Sequence, residues 1–417
     1  MKPVRVIVLG AGSRGTAYSE YIQKHPEDAV VIGVADPVEF RRGRIAEMFD
    51  IPSENVWDDW SGAGEVERLA DAAIIATPDA LHAEPAVAMA EKGYHILLEK
   101  PMAPSEADCR RIIRAVADRG DILFAVCHVM RYTRYTQMLK DILDSGRIGE
   151  VVNIQHIEPV GYWHQAHSFV RGNWRNEAES SFMLLAKSCH DIDLLRYVVG
   201  RSCRRVSSFG SLFHFKRANQ PTGASDRCVD CGVEADCPYS APKIYMGFLE
   251  KGDLGWPLDV LAGEVNAESV AEAIRTGPYG RCVYACDNDV VDHQVVNLEF
   301  DGGATASFTM TAFNTAGGRK TRIHGTRGEI YGDGRNITVT DFLTDQSETI
   351  DTAATEATIT GGHGGGDDGI MDAFLAAVSG DDPSAILSGP QETLETHLAV
   401  FAAERARLNG SVETVSA

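Results

Sequence analysis

Val4-Arg5-Val6-Ile7-Val8-Leu9-Gly10-Ala11-Gly12-Ser13-Arg14-Gly15 decides how this chain folds. A short apolar run passes into glycines at three set positions and then into Arg14–Lys24, whose spacing is helical. A strand, a glycine turn and a helix in this order form a dinucleotide cradle: Gly10 permits the tight turn, and Gly12 lets the backbone approach a pyrophosphate lying on the helix amides. Ser13, Arg14 and Gly15 complete the cradle. Asp36 ends the next apolar run, 21 residues beyond Gly15. An acid there accepts hydrogen bonds from ribose hydroxyls and repels a 2′-phosphate, which favours NAD over NADP. Arg41 and Arg42 keep a 2′-phosphate in play.

The same alternation continues outward. Val30–Ala35, Ala72–Ala76, His95–Leu98 and Ile122–Val126 are short apolar runs that predict buried parallel strands. Glu39–Phe49, Ala80–Lys92 and Ser105–Arg119 carry helical spacing between them. Repeated βα units imply a doubly wound parallel sheet over residues 1–127. Thr77-Pro78 follows the run Ala72–Ala76, where the nicotinamide half of a dinucleotide should lie, and Pro78 fixes the backbone there. Beyond a connecting helix at Arg131–Ser145 the pattern changes. Val151–Val160, Arg205–Phe213, Val290–Phe300, Ala304–Thr311, Lys320–His324 and Asn336–Thr340 predict strands joined by glycine-bearing turns. Helices at Ala186–Val199, Asp367–Val378 and Gln391–Leu408 can cover one face of such a sheet. The fold class is therefore α/β: a Rossmann domain (1–127) and a second α/β domain (128–417) with a large, open, mostly antiparallel sheet. Residues 216–263, rich in Gly, Pro and Cys, predict an insertion in the second domain. Thr352–Gly366 predicts a loop able to close over a site, with His363 and Asp367 as candidates.

Two further features bear on chemistry. Ile96-Leu97-Leu98-Glu99-Lys100-Pro101 ends a strand and places a lysine at the sheet edge beside the nicotinamide. His190-Asp191-Ile192-Asp193 lies downstream. With Ala76-Thr77-Pro78, His82 and Trp174-Arg175, these motifs resemble the glucose–fructose oxidoreductase/inositol dehydrogenase (Gfo/Idh/MocA) family over nearly the whole chain apart from the cysteine-bearing insertion. The resemblance implies NAD(P)-linked oxidation or reduction of sugars and cyclitols, and homo-oligomers (dimers or tetramers) packed through the second sheet. It implies that Lys100 is the active-site lysine and His190 the catalytic histidine, with Thr77, Pro78, His82, Glu99, Trp174 and Arg175 on the cofactor side. Taking hydride from a carbinol requires the hydroxyl proton to leave, and an imidazole has the right basicity to accept it. Many members carry an aspartate four residues before the histidine; Ala186 stands there, followed by Lys187. The spacing predicts that Lys187 and His190 share a helix face and that a Lys/His pair replaces Asp/His as the proton relay.

His128, Arg131 and Tyr132 on one segment, and Tyr162, His164 and Arg171 on another, predict walls of a sugar pocket, with His293 within reach. Their arginines point to an anionic sugar or glycoside. Cys228-X-X-Cys231 followed by Cys237 has metal-ligand spacing, and a fourth thiolate from Cys286 or Cys282 would close a structural zinc site. The 417 residues carry a formal charge of −21, which argues against nucleic acid and anionic membranes as partners. No apolar run approaches the roughly 18 residues that span a bilayer. Val4–Leu9 is too short for a signal peptide, so a cytoplasmic address follows. Three functions remain: a sugar dehydrogenase acting at a ring hydroxyl, most naturally at carbon 3; a redox-neutral, NAD-dependent glycoside hydrolase working through a transient 3-keto sugar; and a non-catalytic NAD-binding sensor.

Overall fold

The computed structural model describes residues 2–353, 362–380 and 383–416. Six strands form the first sheet: β1 (Val4–Leu9), β2 (Ala29–Ala35), β3 (Val56–Trp57), β4 (Ala72–Ile75), β5 (His95–Leu98) and β6 (Phe124–Val126). All pair in parallel, in the order β3-β2-β1-β4-β5-β6. Chain direction through the sheet reverses between β1 and β4, so a crevice opens at their carboxyl ends. Strand β3 carries only two residues, too few for a periodic signal, and the sequence pattern does not reveal it. Gly12 caps the helix Ser13–Lys24 without a side-chain bond, leaving its first amides facing the crevice.

The second sheet has nine strands: β7 (Val151–Pro159), β8 (Cys203–Ser211), β9 (His293–Phe300), β10 (Thr305–Thr311), β11 (Lys320–Gly325), β12 (Gly328–Gly332), β13 (Asn336–Asp341), β14 (Gln346–Asp351) and β15 (Val412–Thr414). Their order is β14-β13-β12-β11-β7-β10-β9-β8-β15. Only β7 and β10 pair in parallel; the remaining pairs are antiparallel. Along β7 the residues Ile154, His156 and Glu158 point inward while their neighbours face out, the period-two pattern of a sheet covered on one side. The helices Cys189–Val199 and Pro390–Asn409 supply that cover. One apolar core runs through both domains, joining Leu98 and Ile112 to Leu194 and Leu398. His397 cements the join by accepting the Met102 amide at 2.9 Å.

Two expectations change here. The helix expected at Ala186–Val199 is broken into Met183–Ala186 and Cys189–Val199, with Lys187 and Ser188 at the joint. The insertion spans the whole stretch between β8 and β9 and is longer than 216–263. It holds the helices Ala241–Glu250, Leu258–Leu261 and Ala267–Thr276 around a core of its own that includes Tyr245, Leu258 and Val270. The last helix, capped by Asn266 and Ser269, lies past the Gly-, Pro- and Cys-rich composition that suggested the shorter range. Most of the Thr352–Gly366 loop, the side chain of His363 included, lies outside the described residues.

Candidate active site

The glycine turn is shaped by contact at two of its glycines and by open space at the third. Gly10 has φ +97°, and a Cβ there would sit 2.5 Å from the Ala76 carbonyl. At Gly15 it would meet the Gly10 oxygen at 1.9 Å. At Gly12 it would meet nothing within 4 Å, so backbone packing does not demand that glycine and close approach of a pyrophosphate does. Asp36 is buried at the end of β2, where its carboxylate accepts the amides of Ala11 (2.7 Å) and Val38 (2.8 Å). This donor set and cradle fit a dinucleotide with free ribose hydroxyls.

At the end of β4, His82 is fully buried and braces two backbone turns: its ring nitrogens lie 2.7 Å from the Pro101 oxygen and 2.8 Å from that of Thr77. It positions the Thr77-Pro78 and Lys100-Pro101 corners and does not itself face a ligand. Glu99 is likewise internal. Its carboxylate accepts Arg14 Nε and the Tyr18 hydroxyl, both at 2.6 Å, and the Lys100 amide at 2.9 Å. Burial pushes this carboxyl up, but Arg14 and Lys100 hold it below the usual carboxylate range. Arg14 also grips Asp367, at 2.6 and 3.1 Å, and so ties the cradle to the helix Gly366–Gly380.

Lys100 crosses between domains. Its Nζ donates to the Ala186 carbonyl at 2.9 Å, at the broken joint that carries Lys187 and leads one turn later to His190. Lys187 is not the solvated lysine of a helix face. Its side chain is 22% exposed and its Nζ lies 3.4 Å from Glu158. Burial, with the nearby cations Arg319 and Lys100, pushes its pKa below the ordinary lysine value, against the pull of Glu158 and Asp191. Behind it, Arg319 Nε lies 3.0 Å from Glu158 and 2.6 Å from Asp191, and His156 Nε2 lies 3.0 Å from Asp191. Glu158 and Arg319 belong to no motif in the sequence; the inward alternation of His156 and Glu158 in β7 is the sequence signal for the first. His164 belongs to the same electrostatic neighbourhood: burial, then Lys187, His167 and Lys100, push its pKa well below the ordinary histidine value.

Several expected sugar contacts are engaged elsewhere. Arg131 is 1% exposed and bonds Asp193 through two 2.7 Å contacts. Tyr132 turns its hydroxyl to Ser388 at 3.0 Å and to the Leu387 amide at 2.9 Å. His128 is fully buried and packs edge-on against His190 at 5.8 Å. Burial holds its pKa down to about 3, although Asp193 pulls it up. Arg171 is buried against the Tyr239 and Arg281 carbonyls, both at 2.7 Å. Arg175 pairs with Asp287 at 2.9 Å and Glu179 at 3.0 Å, with Trp174 partly exposed beside it. His293 bonds Asp292 at 2.9 Å and meets Phe213 at the root of the insertion. The arginine wall that suggested an anionic sugar therefore does not form, because each guanidinium found a carboxylate or carbonyl nearer than the crevice. Tyr162 packs against Tyr239 at 6.3 Å and His164 against Trp256 at 4.8 Å.

Comparison with known proteins follows the same division. Residues 4–127 match the NAD-binding Rossmann-fold model of the Gfo/Idh/MocA oxidoreductase family, and residues 140–387 its C-terminal α/β domain. The chain belongs to this family. It is 30% identical to a 2,7-anhydro-N-acetylneuraminate hydratase of Mediterraneibacter gnavus over 50% of this chain and 53% of that protein. To a scyllo-inositol 2-dehydrogenase (NAD(+)) of Bacillus subtilis it is 26% identical, over 68% and 70% of the two chains. The chain thus spans about half the length of the hydratase it matches. The levoglucosan dehydrogenase complex with NADH and L-sorbose shares the fold, with TM-score 0.73 at 20% identity over the whole of both chains. Among the described residues no helix is long and apolar enough to cross a membrane.

Proposed function

We propose that this protein takes hydride from a ring hydroxyl of a sugar or cyclitol, with NAD as acceptor. The observation that carries the proposal is the Lys100 ammonium, which starts at the edge of the Rossmann sheet and reaches the Ala186 carbonyl beside Lys187 and His190. Gly12, the first amides of the helix Ser13–Lys24 and Asp36 would hold NAD, which supplies the hydride acceptor when bound. Trp174 and Arg175 remain candidates for its nicotinamide half. His190 takes the hydroxyl proton, Lys100 holds the carbinol oxygen by donation, and Tyr162 and His164 bracket the ring. Arg131, Arg171 and Arg175 are engaged by protein partners, so the substrate is a polyol before it is an anion.

Lys187 favours a second reading. A half-buried amine with a depressed pKa beside the first lysine is a second base, which net oxidation does not need. A redox-neutral cycle does need one: oxidation at carbon 3 acidifies the neighbouring C2–H, the base removes that proton, the carbon 1 substituent leaves, water adds, and the hydride returns. That one relative is a hydratase supports this reading. The decisive experiment supplies catalytic NAD and a panel of free sugars, cyclitols and aryl glycosides. NADH formed in proportion to substrate supports dehydrogenation; aglycone release without net NADH supports the cycle; silence across the panel with NADH still bound tightly overturns both and leaves a sensor. We also propose that the outer face of the nine-stranded sheet, which exposes Val152, Ile157, Phe209 and Tyr331, joins copies of the chain, a point that light scattering decides.

A further inference from the structure

Four cysteines from two distant segments meet in the insertion. Cys228, Cys231, Cys237 and Cys282 line one small cavity together with Arg171, Val233, Glu234 and Tyr284. Cys286, the first choice for a fourth ligand on sequence spacing, is not on that wall; its thiol is turned to the Cys282 carbonyl at 3.3 Å. The second observation is Arg171. It is 1% exposed, and its partners are neutral: two carbonyls and Cys228 Sγ at 3.5 Å. Among the described residues its remaining amino group, Nη1, has no hydrogen-bond partner. Glu234, the carboxylate on the cavity wall, accepts the Ser240 hydroxyl instead. A buried guanidinium with no counter-charge is costly and signals an anion that should be there.

We propose that Cys228, Cys231, Cys237 and Cys282 bind one zinc ion as thiolates and that Arg171 is the counter-ion of the resulting centre. Four S–H protons leave as four Zn–S bonds form, and no electron is transferred. Four thiolates around a dication leave a net charge of about −2, which supplies what the Arg171 guanidinium lacks. The sulfurs line the cavity without standing at mutual ligand spacing, so loading rotates the side chains inward. The CxxC turn and Cys237, which leads into the helix Ala241–Glu250, supply three ligands, and Cys282 pins the far end of the insertion to them. The consequence reaches the crevice: Phe248 and Trp256 of the insertion pack on Trp163 at 4.9 and 5.3 Å, and Trp256 packs on His164 at 4.8 Å. The metal thus fixes the aromatic wall behind a residue already placed in the site.

The test needs no substrate. Reduced full-length protein is analysed for metal, titrated with a mercurial while released zinc is read with a chromogenic chelator, and reconstituted with cobalt. The expected result is one zinc per chain, released as four thiols react, and a cobalt spectrum of a tetrahedral tetrathiolate. Cys228→Ser and Cys282→Ser lose the zinc and Cys286→Ser keeps it. Arg171→Gln surrenders zinc to a chelator at about tenfold lower concentration. Should the serine variants fail to fold, mercurial titration and cobalt absorption of the unaltered protein decide alone. Absence of zinc together with absence of the cobalt bands, iron accompanied by acid-labile sulfide, or a disulfide among the four cysteines would each overturn the proposal.

Discussion

Arg131 shows how a single side chain changes meaning once its surroundings are known. In a run with histidine and tyrosine it reads as a ligand contact; in the fold it is the counter-ion of Asp193, whose carboxyl it holds down to about 2 against the upward push of burial. Replacing Arg131 by Met leaves a buried carboxylate uncompensated and is expected to cost about 3–5 kcal/mol of stability by urea denaturation. Arg175→Met at the surface should cost about 0–1 kcal/mol. Lys187 makes the opposite case, a residue whose environment sharpens its chemistry. Lys187→Met is expected to lower kcat by about 10²–10⁴ with NADH affinity unchanged. Because its pKa lies below the ordinary lysine value of 10.5, the rate limb that reports its deprotonation rises with pH and levels off below that value; a limb centred at or above it would remove Lys187 as the base.

Among the elements, the glycine turn separates folding from binding. Gly10→Ala places a side chain at φ +97° against the Ala76 backbone and is expected to cost about 1–3 kcal/mol. Gly12→Ala meets open space, so stability should stay within about 0.5 kcal/mol while NADH affinity, read by fluorescence, falls at least tenfold. Loss of stability without loss of affinity at Gly12 would deny the cradle its role. The strands β1, β2, β4 and β5 were legible because each is a continuous apolar run bounded by turn residues. The short strand β3 and the broken helix at Lys187 were not, since a two-residue pairing and a one-turn interruption leave no period to read. The parallel β7–β10 pair was equally hidden: strand pattern fixes which residues face the core but not which strand lies alongside.

Across the whole molecule, burial keeps His128, His167 and His397 neutral. Burial holds His128 and His167 down to about 3 and His397 down to about 4. The unfolded chain takes up protons at these positions near the ordinary value of 6.5, while the folded chain does so only lower, so stability falls as pH drops from 6.5 toward 4. Asp193, depressed to about 2, begins to contribute only below about 3.8, so the upper window belongs to the histidines. Unfolding free energies from urea titrations at pH 7.5 and 4.5 should differ by about 2.5 kcal/mol for each such histidine, and His128→Asn should reduce the difference by that amount; equal free energies would contradict neutral burial. What the chain order alone determined is the Rossmann half, its glycine cradle with Asp36, Lys100 at the end of β5 and the cluster holding His190, because each rests on residues contiguous in sequence whose periodicity carries the information. Only the tertiary structure decided the rest: the pairing of Arg131, Arg171 and Arg175, the Glu158–Arg319–Asp191 group behind Lys187, and the cavity wall that Cys282, and not Cys286, shares with Cys228, Cys231 and Cys237. Ion pairs and ligand sets are chosen by distance through space in a poorly solvating interior, and the segments that meet there lie far apart along the chain.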